Sequence, residues 1–329
     1  MIDLNTLVAV FVFVIGACIG SFLNVVALRG LSGESIVFPP SKCPKCNNKL
    51  NWYTNIPIIS YCFLGGKCQF CKEHISIQYP VVEFLNALLW LFCFLEFGYT
   101  AKTLFLCILA SLFIVIAITD FKESVVIDAH TYIIIALGLL YNAVPFGAPF
   151  GEAGILQSIL GILAGTLFFE AAARTGYLFA GTRAFGEGDT LIAMGIGAFF
   201  GWKMLFVIIF MSVILQAVLT LPVLFHKSIK EKAYKSAAAY SMLVLCVVLV
   251  YIFRAFDVYT IFPLILILLL MVCIILLWAL CTILKDMKNK KETDNFLYLP
   301  FGPALVLAGL LAIFFQSEIV GFIKNMFFL

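Results

Sequence analysis

Three aspartates and four cysteines are the residues of this chain whose types and spacing could do chemistry. Asp120 closes one apolar run, Asp128 follows shortly after it, and Asp189 opens a later apolar run within Phe185-Gly186-Glu187-Gly188-Asp189. An ionisable side chain at the border of an apolar span is costly to keep there, which makes it a functional candidate. Two carboxylates brought together repel, so one can act as general base on water while the other, protonated, acts as general acid, and the pair titrates as a unit. Gly186 and Gly188 carry no side chain to block a substrate backbone approaching Asp189. Each acid also has a plainer reading. Asp189 suits an N-cap or first-turn position stabilised by the helix dipole, and Asp120 suits an interfacial acid ending a helix beside Lys122. Glu83 follows Pro80 and is expected in the first turn of its span, again favoured by the dipole. Glu170 lies deeper in an apolar run, with no partner that the sequence identifies.

The cysteines form a second constellation. Cys43-Pro-Lys-Cys46 and Cys68-Gln-Phe-Cys71 are two CxxC pairs separated by 21 residues, with Cys62 between them. Each pair can place two sulfurs on one face of a tetrahedral ion, so the spacing predicts a four-thiolate zinc site. Four protein ligands close the coordination sphere, which makes the zinc structural and places catalysis elsewhere. The alternative, two disulfides or redox pairs, has no βαβ pattern to support it and would need an oxidising compartment. The other cysteines, among them Cys18, Cys93 and Cys107, fall in apolar runs, where a free thiol behaves as a small hydrophobe.

The elements that must position these residues are membrane spans. Of 329 residues, 64% are apolar and 12% charged, and mean hydropathy is +1.11, against about 25% charged in a soluble domain. Lipid is therefore part of the solvent. Apolar runs at 4–28, 79–98, 103–119, 130–146, 153–174, 189–201, 204–225, 238–254, 258–284 and 299–316 are candidate spans, each measured against the roughly 20 residues a crossing needs. The first is too long for a signal-peptide core and lacks a cleavage site, so it reads as a retained helix. Run 189–201 is short and glycine-rich, and its Gly195, Gly197 and Gly201 point to close helix packing. The fold class is thus an all-α polytopic membrane protein of about 8–10 transmembrane helices, with a small zinc-ribbon-like loop at 30–78. With the N-terminus outside and sides alternating, only Lys102, Lys203, Arg254 and Lys324 fall outside, leaving 17 of 21 basic residues inside. This bias places the cysteine loop and the three aspartates at the cytoplasmic face. The basic residues form no stripe, and no nucleic-acid partner is expected.

Several short motifs in fixed order resemble the bacterial type IV prepilin peptidase family. They are Gly20-Ser21-Phe22-Leu23-Asn24-Val25-Val26 with Arg29, the two CxxC pairs, and Asn51-Trp52 with Asn55-Ile56-Pro57-Ile58-Ile59-Ser60-Tyr61. Tyr79-Pro80-Val81-Val82-Glu83-Phe84, Asp120 with Ile127-Asp128, Gly186-Glu187-Gly188-Asp189 followed by Gly197-Ala198-Phe199-Phe200-Gly201-Trp202, and Pro300-Phe301-Gly302-Pro303-Ala304 complete the set. The resemblance implies a bifunctional membrane aspartic peptidase and N-methyltransferase of the bacterial cytoplasmic membrane. It would remove a short basic leader from prepilins or pseudopilins of a type IV pilus or type II secretion system. Asp120 and Asp189 would be the catalytic pair, Asp128 a motif acid, and Gly186 and Gly188 supporting residues. S-adenosylmethionine would be the methyl donor, with the cytoplasmic loop serving methyl transfer and Glu83 a candidate for it. Thr190-Leu191 stands where the family is expected to carry a basic residue.

On this reading the chain divides into a first helix (1–29), the four-cysteine loop (30–78), a peptidase core (79–225), an inserted pair of apolar runs (226–298) and a closing helix with tail (299–329). The competing reading is a transporter or channel with a zinc-stabilised loop. An ion pathway should place its acids through the membrane depth, whereas these aspartates share one face.

Overall fold

A computed structural model of the chain describes residues 3–143, 154–180, 185–230 and 300–315, together with 318, 319 and 321. The expected spans 238–254 and 258–284 and the charged linker after them lie outside the described residues. Two compact units are present, 1–213 with 300–329 and 214–299. Of the second, only the helical stretch up to Lys230 is described. Apart from the continuation of α7 to Lys230, everything that follows concerns the first unit.

The described residues are helical, without strands. In order they are α1 (Leu4–Ser32), a short α2 (Ile59–Phe63), α3 (Gln78–Phe97), α4 (Ala101–Glu123), α5 (Asp128–Ala143), α6 (Ile155–Ala180), α7 (Glu187–Lys230) and α8 (Gly302–Phe314). Five of these segments are long and apolar enough to cross a membrane, namely α1, α3, α4, the first 23 residues of α6 and the stretch Glu187–Thr220 of α7. The chain is a multi-pass membrane protein.

Small residues and a few polar side chains join the spans, as expected where lipid removes the hydrophobic drive for helices to pair. A Cβ on Gly16 would stand 2.9 Å from the Cα of Ala87, and one on Gly20 would stand 2.8 Å from the Cα of Glu83, so α1 and α3 run antiparallel with their backbones almost touching. Asn86 donates to the Gly16 carbonyl (2.7 Å), the Ser111 hydroxyl donates to Asn86 (2.8 Å), and the Trp90 indole donates to Ser111 (2.9 Å). This chain of buried bonds ties α1, α3 and α4 together without leaving an orphan in hydrocarbon. On the other side, Gly161 of α6 faces Gly197 of α7 so closely that a Cβ on either would strike the other's backbone, and Gly165 meets Ala193 in the same way. The close packing expected of the α7 glycines is present.

The expected runs 189–201 and 204–225 are two helical segments of α7 that meet at Gly201, whose φ of 75° and ψ of 170° leave the helical region. Up to that point α7 runs antiparallel to α6, since Ala193 meets Gly165, Gly197 meets Gly161, and Gly201 lies beside Gln157. Five residues past the break, the Phe206 ring stands 5.9 Å from Phe168. A helix continuing straight would have carried Phe206 away from Phe168, which is about 16 Å farther along α6 than Gln157. The chain therefore folds back at Gly201. Asn142 and Ser158 accept the consequence by donating to the Ala198 carbonyl at 2.9 and 2.7 Å, and Asn142 also reaches the Phe199 carbonyl. Carbonyls exposed at a helix end are thereby satisfied.

The same contacts fix which ends share a face. Gly302 lies against Asp120 while Gly309 lies against Phe113, so α8 runs antiparallel to α4, starting where α4 ends. Val126, which precedes α5, packs on Gly188, and Ile134 packs on Gly195, so α5 and the first part of α7 leave one face together. The C-terminal ends of α1 and α4 and the N-terminal ends of α3, α5, α7 and α8 meet at this face, and the 33–77 loop hangs from it.

Candidate active site and cysteine cluster

Asp120 stands on the last turn of α4, which Ser124 stops by adopting a left-handed conformation and donating its N–H to the Asp120 carbonyl (2.8 Å). Asp189 stands on the first turn of α7. Both side chains are buried, 5% and 6% exposed, and Asp189 experiences the charge of Asp120. Helix ends from opposite parts of the chain thus bring the two carboxylates together. Asp189 Oδ2 accepts the Gly186 N–H at 3.0 Å, so the glycine motif curls its own backbone onto the acid. Gly188 has a separate steric duty, because a Cβ there would stand 2.6 Å from Val126 Cγ2.

The third wall is the start of α8. Gly302 presses on Asp120 so closely that a Cβ would collide with Oδ2, and the same Cβ would lie 3.1 Å from Ile192, one turn beyond Asp189. Gly302 is therefore the residue that touches both helices of the pair. Phe185 meets both Phe301 (5.4 Å) and Phe169 (5.2 Å) edge-on, and Phe301 meets Phe169 at a tilt (6.2 Å). This aromatic trio closes one side of the site. Asp120 Oδ2 is buried against the start of α8, with the Gly302 backbone beside it. The motif Pro300–Ala304 was visible in the sequence, but its contact with the aspartates was not.

Asp128 is not brought into the pair. It opens α5 with its side chain exposed, and its carbonyl takes the Thr131 hydroxyl at 2.7 Å. The plain reading of Asp120 as a partner of Lys122 is also not what the structure shows, since no ion pair joins them among the described residues. Glu170 finds Arg174 one turn on, at 3.9 Å.

Glu83 differs from expectation. Helix α3 starts at Gln78, so Glu83 falls in its second turn, and the first turn holds no acid. A first-turn dipole contact does not account for it. The carboxylate is buried, 7% exposed, and its Oε2 accepts the N–H of Ile58 from the loop at 2.7 Å, with the Ser21 hydroxyl also in reach. Ile58 has φ 62° and ψ −52°, and Ile59 N–H returns to the Pro57 carbonyl. This is a γ-turn of the strained, positive-φ kind, and for a β-branched residue such a conformation costs about 1–3 kcal/mol. The turn aims the Ile58 amide at the carboxylate.

The cysteine loop is built from two copies of one local device. Cys43 N–H donates to the Asn48 carbonyl (3.0 Å) and Asn47 N–H returns to the Cys43 carbonyl (2.9 Å), while Cys68 N–H donates to Glu73 (2.8 Å) and Lys72 N–H returns to Cys68 (3.0 Å). The residue after each second cysteine, Asn47 or Lys72, carries the positive φ that closes the turn. The sulfurs of Cys43, Cys46, Cys68 and Cys71 all lie within 4.8 Å of one another, and Cys43 and Cys71 are 3.9 Å apart. Tetrahedral zinc with Zn–S near 2.3 Å spaces its sulfurs about 3.8 Å apart, so the donor set and its spacing fit the ion. The amides of Cys71 and Phe70 point at the Cys68 sulfur and draw its thiol down to about 6. The Glu73 amide acts on Cys71 in the same sense, but desolvation and the other sulfurs outweigh it and push that thiol up to about 11. The cluster thus resists holding several negative charges unaided, a conflict that a dication removes. Cys62 stands apart and exposed.

Fold and site together define a class: a polytopic helical membrane protein with two buried carboxylates meeting at one end of its spans and a four-thiolate loop at the same end. Residues 14–97 match the bacterial Peptidase A24 N-terminal domain and residues 107–221 match the type IV leader peptidase family. A Myxococcus xanthus protein is 36% identical over 199 residues, covering 60% of this chain and 58% of that protein. A Klebsiella pneumoniae protein is 31% identical over 201 residues (59% and 86%), and one from Neisseria gonorrhoeae is 31% identical over 223 residues (60% and 76%). Each of the three is named prepilin leader peptidase/N-methyltransferase. The chain belongs to the type IV leader peptidase family, which sets aside the transporter reading. No solved structure gives a significant match.

Proposed function

We propose that this protein cleaves the leader from prepilin or pseudopilin substrates with Asp120 and Asp189, and N-methylates the new N-terminus. The observation that carries the first activity is the pair itself: two buried carboxylates from α4 and α7, within electrostatic reach of each other at one helix end. One carboxylate, ionised, takes a proton from water as the oxygen attacks the scissile carbonyl. The other, protonated, donates to the carbonyl oxygen, and the proton then passes to the departing amine as the tetrahedral diol collapses. The Gly186 N–H on Asp189 fixes the orientation of that carboxylate. The Gly186–Gly188 backbone leaves room for an extended peptide beside it.

The Lys and Arg bias supports a cytoplasmic position for this face and for the loop that hangs from it. A substrate with a basic leader and an apolar helix suits such a site, because the helix stays in lipid while the leader reaches the pair. Cys43, Cys46, Cys68 and Cys71 would hold zinc as a structural ion that folds the loop. S-adenosylmethionine, implied by the methyltransferase in the relatives' names, would supply the methyl group. The test is a cleavage assay in membranes on a panel of prepilins, read by mass spectrometry of the new N-terminus, with Asp120→Asn and Asp189→Asn as the variants. Loss of cleavage in both supports the assignment, and substantial residual cleavage in either removes that residue from the mechanism.

A further inference from the structure

We infer that Glu83, with Ser21 beside it, is the anionic subsite that receives the α-ammonium of the cleaved peptide. The use made of that subsite rests on the methyl-transfer reading above. Glu83 is a buried carboxylate that the cleavage chemistry does not use. Its charge meets only neutral donors, the Ile58 amide at 2.7 Å and the Ser21 hydroxyl, and among the described residues no cation lies within ion-pair distance. A carboxylate has about four lone-pair positions, so one amide and one hydroxyl leave it under-satisfied. A buried carboxylate in that condition either holds a proton or takes a cation as its partner.

The chemistry of the surroundings selects which cation. No other carboxylate joins Glu83, and the described residues offer only the four-cysteine cluster as a metal-binding group. A sulfonium has no N–H to donate. A primary ammonium has three N–H donors, which match the open carboxylate positions and the Ser21 oxygen. The site is also placed for a peptide terminus rather than a surface lysine. It lies in the second turn of α3, against the Gly20 backbone of α1, where an apolar segment in lipid can bring its N-terminus to the same depth. The strained turn at Ile58 ties the loop to this carboxylate, so the cysteine loop and the ammonium subsite are held in one place.

In the reaction, Glu83 takes one proton from the ammonium, leaving a neutral amine with a free lone pair. The new N–C bond then forms as the methyl–sulfur bond of a sulfonium donor breaks. That electron pair stays on sulfur, which leaves as a neutral thioether, and the methylated amine carries the positive charge. The proton on Glu83 returns to solvent.

The experiment uses the full protein in detergent and a synthetic peptide with the apolar N-terminal sequence of a cleaved pilin, prepared with a free α-amine and with that amine acetylated. Binding is measured without any methyl donor, so the readout is independent of turnover. The wild type should bind the free amine at least tenfold more tightly. In Glu83→Gln that preference should fall to about one. Glutamine still accepts the Ile58 N–H, so a residue that merely latched the loop would leave the preference unchanged. Zinc content and elution volume of the variant report whether the loop and fold survive. With a sulfonium donor added, methylation of the free-amine peptide by Glu83→Gln should fall about a hundredfold in kcat, while the KM for the donor stays within twofold. Equal binding of the two peptides by the wild type overturns the inference without recourse to any variant, and so does a Glu83→Gln protein that keeps the preference. A wild type that prefers the ammonium but transfers no methyl group supports the subsite and overturns the methyl-transfer reading instead.

Discussion

The aspartate pair and the cysteine cluster stand at the same end of the molecule but are held by opposite means. The backbone hydrogen bonds that curl each cysteine knuckle are local, Cys43 to Asn48 and Leu50 to Ser41 in one and Cys68 to Glu73 and Ile75 to Gly66 in the other. The aspartates come from helices 69 residues apart in sequence, and their third wall, Gly302, comes from beyond residue 299. One site is local and gathers four thiols that could hold an ion. The other is tertiary and is completed by packing, with backbone amides rather than side chains to anchor it, Gly186 on Asp189 and Gly302 beside Asp120. The difference teaches where each site is vulnerable: the cluster through its ligands, the pair through the fit of helix ends.

The sharpest way to break the comparison is at the pair itself. Asp120→Asn and Asp189→Asn should each lower prepilin cleavage by at least about a hundredfold, given that positioned acid–base groups contribute about 10²–10⁴ in rate. Neither change should release the protein from the membrane, since each removes charge without altering volume. Membrane fractionation alongside the cleavage assay reads both. A cleavage defect accompanied by loss of the protein would mean that the pair is structural.

The cluster should fail differently. Cys43→Ser removes one ligand, and because binding energy of the ion is also folding energy of the loop, zinc should drop from one per chain to a small fraction. N-methylation should be lost with it, while cleavage falls far less, because the helices that carry the aspartates are stabilised by lipid and by one another. Metal analysis beside the mass of the mature pilin measures this. Full methylation by a zinc-free protein would show that the ion does not organise the methyl-transfer site.

What could be read from the sequence follows the same division between local and tertiary. The CxxC pairs were legible because two ligands three residues apart specify their geometry almost alone, and the spans because hydropathy needs no partner. Asp189 beside its glycines was legible as chemistry. The meeting of Asp120 with Gly302 was not, since nothing in either local sequence records a contact across 182 residues. Glu83 was misplaced by one turn because Pro80 suggested a helix start, whereas α3 begins at Gln78. The strained turn at Ile58 left no trace in composition: isoleucine is among the residues least expected at positive φ.

Gly302 offers a smaller and more discriminating effect. Gly302→Ala places a methyl group against Asp120 Oδ2 and Ile192, an overpacking that costs about 1–3 kcal/mol. Cleavage should fall about tenfold to a hundredfold. Gly309→Ala, two turns along the same helix, puts its Cβ 2.9 Å from Phe113 instead. It should cost similar stability with much less effect on cleavage per folded molecule. Thermal stability of both variants, set against their specific activity, separates a distorted site from a weakened fold. Equal losses of specific activity would mean that α8 acts only as packing.

The smallest effect expected is at Cys62. Its thiol is exposed on the short helix α2, apart from the four clustered sulfurs, and a fifth thiolate has no place in a closed tetrahedral site. Serine is nearly isosteric and keeps the helical backbone, so Cys62→Ser should leave one zinc per chain and both activities within about twofold, the change expected of a surface substitution. The measurement is sensitive in one direction in particular. Cys62 lies in the same segment as the strained Ile58 turn that meets Glu83, so a loop that exchanged ligands during metal loading would lose zinc in this variant. Zinc content halved by Cys62→Ser would show that the ion has an alternative ligand set, and the cluster could no longer be treated as two self-contained knuckles.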